Sequence, residues 1–404
     1  MSFHPHENDN DITIEHYENK ILTSLPDKDA SMLCELVYES MMLENIANNR
    51  AGKGKTIANL IYNLDKKTLN KISITLLSSD VKDALEQYPH HYYPVLAKYK
   101  LVATSFDFVS KTQSSFFGTA PSYYAIVVAN VNDKENKGIY VINRGTDKGW
   151  DYWSDLKMGR GKLIPSAEII PHMIAGINFT QEVLAKYQVR SIGFSGHSLG
   201  GSIAQIQSIR FFDYKKGLSL APTKCFEPFG TKSEVDPSFG FRFKNKYYYS
   251  DINFWKGFRS QVCNVGIDWK CNSWQELSDR LIQKYQRNAK LIANNIKNFI
   301  RQGDIIAELS AQIGDSIKLT TNINNNYYNY IPQQTSGLIA VPQFLFELLR
   351  RLTIHKISWY RYNAYAENGD LIPNRIDKKN VKIFKFSASY KDIQSFREAF
   401  EDDN

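Results

Sequence analysis

Between Asp29 and about Lys98, apolar residues recur at three- and four-residue steps. Met32, Leu33, Leu36, Val37 and Met41 line one face, which predicts amphipathic helix. From about Lys100 the pattern changes to short, continuous apolar runs. Leu101–Phe106, Tyr123–Val128 and Ile139–Ile142 read as buried strands. Ala167 to about Tyr187 reads as a helix, Val189–Ser195 as a strand, and Leu199–Tyr214 as another helix. Lys224–Phe229 and Lys246–Ser250 are two further strands. Strands alternating with helices predict an α/β fold, a mostly parallel central sheet flanked by helices. After Trp274 the positions Leu277, Leu281, Tyr285, Ile292, Ile296 and Phe299 keep near-helical spacing to about Arg301. Asn322–Tyr330 is a low-complexity loop, and residues 1–15 are a polar tail.

Ala51–Thr56 reads Ala-Gly-Lys-Gly-Lys-Thr and invites a phosphate-loop reading. That loop requires a glycine five positions before the Gly of its Gly-Lys pair, and Asn49 stands there instead. No strand precedes it either, so a basic loop is the expectation.

The one pentapeptide with explicit chemistry is Gly196-His197-Ser198-Leu199-Gly200, a G-x-S-x-G nucleophile elbow. It sits between a predicted strand and a predicted helix, the context the motif requires. In such a turn the serine hydroxyl is lifted above the sheet, and Gly196 and Gly200 remove side chains that would collide. The amides opening the following helix point at the reacting carbonyl. On this type of sheet the order is Ser, acid, His. Of the histidines at 4, 6, 16, 90, 91, 172, 197 and 355, only His355 follows Ser198, which makes it the candidate base. The acid belongs just beyond a strand end. Asp251 follows the run 246–250 and is the candidate, with Asp268 in reserve. The oxyanion hole needs two donors: the amide of Leu199 and one from the loop Asn143-Arg144-Gly145-Thr146, where Thr146 offers an amide and a hydroxyl.

Together, Asn143-Arg144-Gly145-Thr146, Trp150–Leu156 with its Trp and Asp residues, and Gly196–Gly201 resemble the class 3 lipases. These are fungal-lipase-like members of the α/β-hydrolases. The resemblance covers about residues 100–270 and the surroundings of His355. It implies a triad of Ser198, Asp251 and His355, an oxyanion hole at Thr146 and Leu199, no metal or other cofactor, and hydrolysis of carboxylic esters of lipids. Two departures stand out. Asn143 replaces the usual aromatic, which is expected to alter the acyl-pocket wall. The stretch between Asp251 and His355 is longer than usual, which suggests remodelled substrate access.

The expected organisation is a tail and helical segment (1–98), a hydrolase core (99–272), a helical insertion serving as cap or lid (273–350), and a C-terminal core part carrying His355 (351–404). Charge adds little to this. The 404 residues carry 50 Lys and Arg against 42 Asp and Glu, a net +8, compatible with transient contact to an anionic membrane surface. The basic residues Arg280, Lys284, Arg287, Lys290, Lys297 and Arg301 suit either a solvated helix face or a membrane-facing cap. No nucleic-acid signature accompanies the charge, so the expected partner is a lipid or phospholipid substrate. The polar N-terminus lacks a Sec pattern, and the longest apolar run, 338–349, is too short to span a bilayer. The expected location is cytoplasmic, or outside by a signal-independent route. The Lys-, Asn-, Ile- and Tyr-rich composition suggests an AT-rich bacterial genome, and a basic lipase without a Sec signal would suit an effector delivered to a host membrane. Cys34, Cys225, Cys263 and Cys271 have no metal or redox spacing and read as free thiols. An acyltransferase or short-chain esterase on the same scaffold, or a silent binding module, are the alternatives to a lipase or phospholipase.

Overall fold

In the computed structural model of the chain, the described residues are 24–48, 55–62, 94–108, 123–145, 166–214, 216–228, 274–304, 312–319 and 363–376. Short pieces and single positions add to these, among them 230–231, 242–243, 246–247, 307, 355, 357 and 360.

Three helices open the described chain: α1 (Asp27–Leu36), α2 (Ser40–Asn48) and α3 (Ile57–Tyr62). The main sheet follows, built from β1 (Tyr99–Thr104), β2 (Ala125–Asn130), β3 (Gly138–Asn143), β4 (Ser191–His197), β5 (Ser219–Leu220), β6 (Thr223–Phe226), β9 (Ile296–Arg301) and β10 (Asp315–Leu319). Its order is β1-β2-β3-β4-β6-β9-β10, with β5 beside β4. The first two pairings are antiparallel, and every pairing from β3 onward is parallel. The crossovers include α4 (Ser166–Lys186), α5 (Leu199–Phe211) and α6 (Trp274–Asn294). This is the expected α/β architecture.

Strands β1–β4, β6 and β9 are almost wholly buried, which explains their apolar runs, while the edge strand β10 is largely exposed. Because side chains alternate along a strand, Ile126, Val128, Tyr140 and Ile142 join one core with α1, α2 and α3. Ala125, Val127, Ile139 and Val141 join the opposite core with α4, α5 and α6. The N-terminal helices are thus part of the core. Helix α1 is buried even at Asp27, Asp29 and Glu35. Asp27 pairs with the buried Lys224 of β6 and accepts the Leu371 amide at 3.0 Å. Asp29 accepts from Tyr99 Oη at 2.8 Å and pairs with Lys98 at 3.1 Å.

Two expected elements differ. The helix after Trp274 ends at Asn294, and residues 296–301 form β9 inside the main sheet. Ile292, Ile296 and Phe299 are four and three residues apart, so a helix end followed by a buried strand mimics helical spacing. The segment 273–350, expected to be a helical insertion, therefore contributes β9 and β10 to the main sheet. The run 246–250 is the second difference. Its described residues, Lys246–Tyr247 (β8), pair antiparallel with Arg242–Phe243 (β7) in a separate two-stranded ribbon. A second small ribbon joins β11 (Asn363–Tyr365) and β12 (Leu371–Ile376).

Candidate active site

Strand β4 is fully buried and runs directly into Ser198, whose backbone has φ 57° and ψ −128°. A non-glycine residue there is strained and persists only where its surroundings impose it. The two glycines show how. A Cβ on Gly196 would stand 2.2 Å from the Gly200 backbone, and one on Gly200 would stand 2.3 Å from the Asn143 carbonyl oxygen. No side chain fits either place, so the turn closes tightly enough to project the serine. The Ser198 amide is anchored to the Phe226 carbonyl at 3.0 Å.

Three side chains from distant parts of the chain converge at this turn. His355 Nε2 lies 2.7 Å from Ser198 Oγ. His355 Nδ1 lies 2.8 Å from Oδ2 of Asp304. A carboxylate only accepts, so Nδ1 carries the proton and Nε2 accepts from the serine hydroxyl. Asp304 sits in the turn after β9, behind Gly303 at φ 88°, and is fully buried. Burial alone would push its carboxyl up. The attraction exerted by the His355 ring when it is protonated, with the hydrogen bonds from His355 and the Ala307 amide, outweighs that and holds it below its ordinary value.

The expected acid was Asp251, which lies outside the described residues, as does Asp268. Of the run that favoured Asp251, the described residues Lys246–Tyr247 lie in a separate two-stranded ribbon. Asp304 occupies the position on Nδ1 instead. It stands after β9, two strands from β4, where a sheet strand delivers it to the same edge as the elbow.

A second histidine braces the first. His197 is buried in the elbow, and its Nε2 donates to the His355 backbone carbonyl at 2.7 Å. A carbonyl cannot donate, so Nδ1 of His197 is the acceptor, and it receives the hydroxyl of Tyr38 at 2.8 Å. Burial first, and the nearby His355 second, push His197 down to about 3, so it stays neutral across the working range. Tyr38 follows α1 and reaches the elbow from the N-terminal segment, a role that local periodicity does not reveal. A Cβ on Gly145 would touch its hydroxyl oxygen at 2.2 Å and Ser198 Cβ at 3.1 Å. Loop 143–145, Tyr38 and the elbow are therefore in direct contact.

Leu199 opens α5, where helix amides have no carbonyl partner within the helix. Thr146 lies outside the described residues, although the described part of its loop ends against Ser198. Asn143, expected to alter an acyl-pocket wall, is buried. Its side chain is sealed in the core, accepting from Tyr123 Oη at 2.9 Å and donating to Gln207 Oε1 at 2.7 Å. Cys34 and Cys225 are buried free thiols, and burial pushes Cys34 up to about 12, which makes it inert. Among the described residues, no helix is long and apolar enough to cross a membrane.

No protein-family model and no curated protein matches the chain. Among solved structures it is similar to a Rhizomucor miehei lipase propeptide complex, at 15% identity over 56% of this chain and 58% of that one, TM-score 0.31. It is also similar to the Lip2 lipase of Yarrowia lipolytica, at 12% identity over 76% and 80%, TM-score 0.33. A lipase from Rhizopus microsporus var. chinensis shares 14% identity over 70% and 74%, TM-score 0.29. The chain thus spans less than two thirds of the first of these.

Proposed function

We propose that the protein is a serine esterase acting on carboxylic esters of lipids, with Ser198 as nucleophile, His355 as base and Asp304 as the acid. The observation that carries this reading is the single imidazole hydrogen-bonded to Ser198 Oγ on one side and to Asp304 on the other. His355 Nε2 takes the hydroxyl proton as Ser198 Oγ attacks the acyl carbonyl, and the buried carboxylate stabilises the imidazolium that forms. The Leu199 amide, at the positive end of α5, meets the developing oxyanion, with Thr146 as its proposed companion. His355 then gives the proton to the departing alcohol. A water activated by the same imidazole releases the fatty acid from the acyl-enzyme.

The lipid part of this reading rests on the resemblance of the oxyanion loop, the Trp/Asp stretch and the elbow to the class 3 lipases. The net +8 and the exposed Arg287 and Lys290 of α6 favour an anionic phospholipid surface over neutral fat. The test is fatty-acid release from anionic phospholipid vesicles and from triacylglycerol emulsions, comparing the wild type with Ser198→Ala. Release from vesicles that disappears in the variant supports a phospholipase. Release from neither substrate, from a folded protein, refutes the lipid assignment.

A further inference from the structure

The segment that carries Asp304 is fastened to the helix that follows the elbow, through side-chain amides that the reaction as written does not use. Gln205 lies on α5, about two helical turns beyond Ser198. Asn298 lies on β9, and Gln312 stands shortly before β10, at the far end of the segment that leaves β9 through Asp304. Gln205 and Asn298 are fully buried.

The contacts fix the orientation of every amide, because a backbone carbonyl only accepts. Gln312 Nε2 donates to the Ala307 carbonyl at 3.0 Å and to the Pro228 carbonyl at 2.9 Å. Asn298 Nδ2 donates to the Ile313 carbonyl at 2.8 Å and to the Asp315 carbonyl at 3.3 Å. The oxygens of both amides are thereby turned to Gln205, whose Nε2 donates to Gln312 Oε1 and to Asn298 Oδ1, each at 2.8 Å. Gln205 Oε1 is left to accept, and it takes the Thr231 hydroxyl.

One end of this ladder reaches the proposed acid. Ala307, whose carbonyl Gln312 holds, donates its own amide to Asp304 Oδ1 at 3.3 Å. That leaves Oδ2 for His355 Nδ1 at 2.8 Å. The other anchor, Pro228, packs against the first turn of α5: a Cβ on Gly201 would stand 2.9 Å from the Pro228 Cβ. Through Gln312, the acid's segment, the loop after β6 and the elbow helix are joined by one connected set of hydrogen bonds.

We propose that Gln312 is a positioning residue for the acid, holding the Ala307 peptide so that Asp304 presents Oδ2 to His355 in register with the elbow. The inference rests on the proposed triad and extends it. An amide suits the place. A cation there would offset the Asp304 charge that the imidazolium needs, and a carboxylate would face two carbonyls with no proton to give them.

The test uses the full chain with Gln312→Met, of similar length but without donors, and Gln312→Ala, each alone and combined with Asp304→Asn. The readout is hydrolysis of a soluble p-nitrophenyl ester, with thermal unfolding as the control for folding. Each single variant should lose about tenfold or more in kcat, with KM within about twofold, since misplacing the acid weakens the transition state and spares substrate binding. In the Asp304→Asn background the same substitutions should cost less than about twofold, because the group they position no longer acts. Wild-type rates in the folded single variants overturn the inference. So does an equal loss with and without Asp304→Asn, which shows a general structural role, or failure of both variants to fold. Asp304→Asn that hydrolyses as fast as wild type would refute the triad itself. A large loss in Asp304→Asn beside unaffected Gln312 variants would sink this inference alone.

Discussion

Replacing Asp304 with Asn removes one negative charge and leaves the shape of the side chain nearly unchanged. In the resting site His355 is neutral toward Ser198, and the imidazole becomes a cation only as Ser198 Oγ attacks. The carboxylate oxygen is 2.8 Å from Nδ1 and the group is fully buried. Taking a charge separation of about 4 Å and an effective dielectric near 20, the attraction that appears in the transition state is about 4 kcal/mol. That corresponds to a loss of roughly a thousandfold in kcat/KM. The loss should fall on kcat, because the interaction strengthens only as charge develops. The assay is hydrolysis of a soluble p-nitrophenyl ester, with thermal unfolding as the control for folding. Asp251→Asn, run in parallel, should stay within about twofold of wild type. A thousandfold loss in Asp251→Asn, with Asp304→Asn near wild type, would refute the assignment of the acid.

Two further predictions concern stability. The folded-state value of His197 is depressed to about 3 from 6.5, so the unfolded chain binds more protons between those pH values. Unfolding free energy should therefore be complete above about pH 6.5 and fall by up to ~4–5 kcal/mol as pH drops toward 3, with a shallower slope in His197→Gln by urea titration. Asp27→Ala leaves Lys224 buried without its ion-pair partner and strips the Leu371 amide of its acceptor, so about 3–5 kcal/mol of stability should be lost in the same assay.

The parts of the site that are local in sequence could be read from it. The elbow is a strand, a turn and a helix in consecutive residues, and the two glycines that close it are within the pentapeptide. His355 followed from chain order once Ser198 was chosen. Asp304 did not, because Ile292, Ile296 and Phe299 disguise the junction of α6 and β9 as one helix. A signal was present all the same: Arg301-Gln302-Gly303-Asp304 ends a buried run with a glycine turn and an acid, and Gly303 has the positive φ such a turn needs. The tyrosine-rich run from Lys246 reads as a strand because aromatics favour extended structure, and Lys246–Tyr247 are one, but in a separate ribbon: sheet membership depends on partners that a single run cannot disclose. Tyr38, Gln312 and the sealed side chain of Asn143 are tertiary facts. Each depends on contacts between segments tens to more than a hundred residues apart.

The most direct test of a nucleophile activated by the Asp304–His355 pair is reaction of the native protein with a fluorophosphonate, followed by peptide mass spectrometry. The account predicts one phosphonylated residue, Ser198, with labelling abolished in Ser198→Ala and slowed at least a hundredfold in His355→Ala. Labelling at a different serine, or equal rates for wild type and a folded His355→Ala, would contradict it.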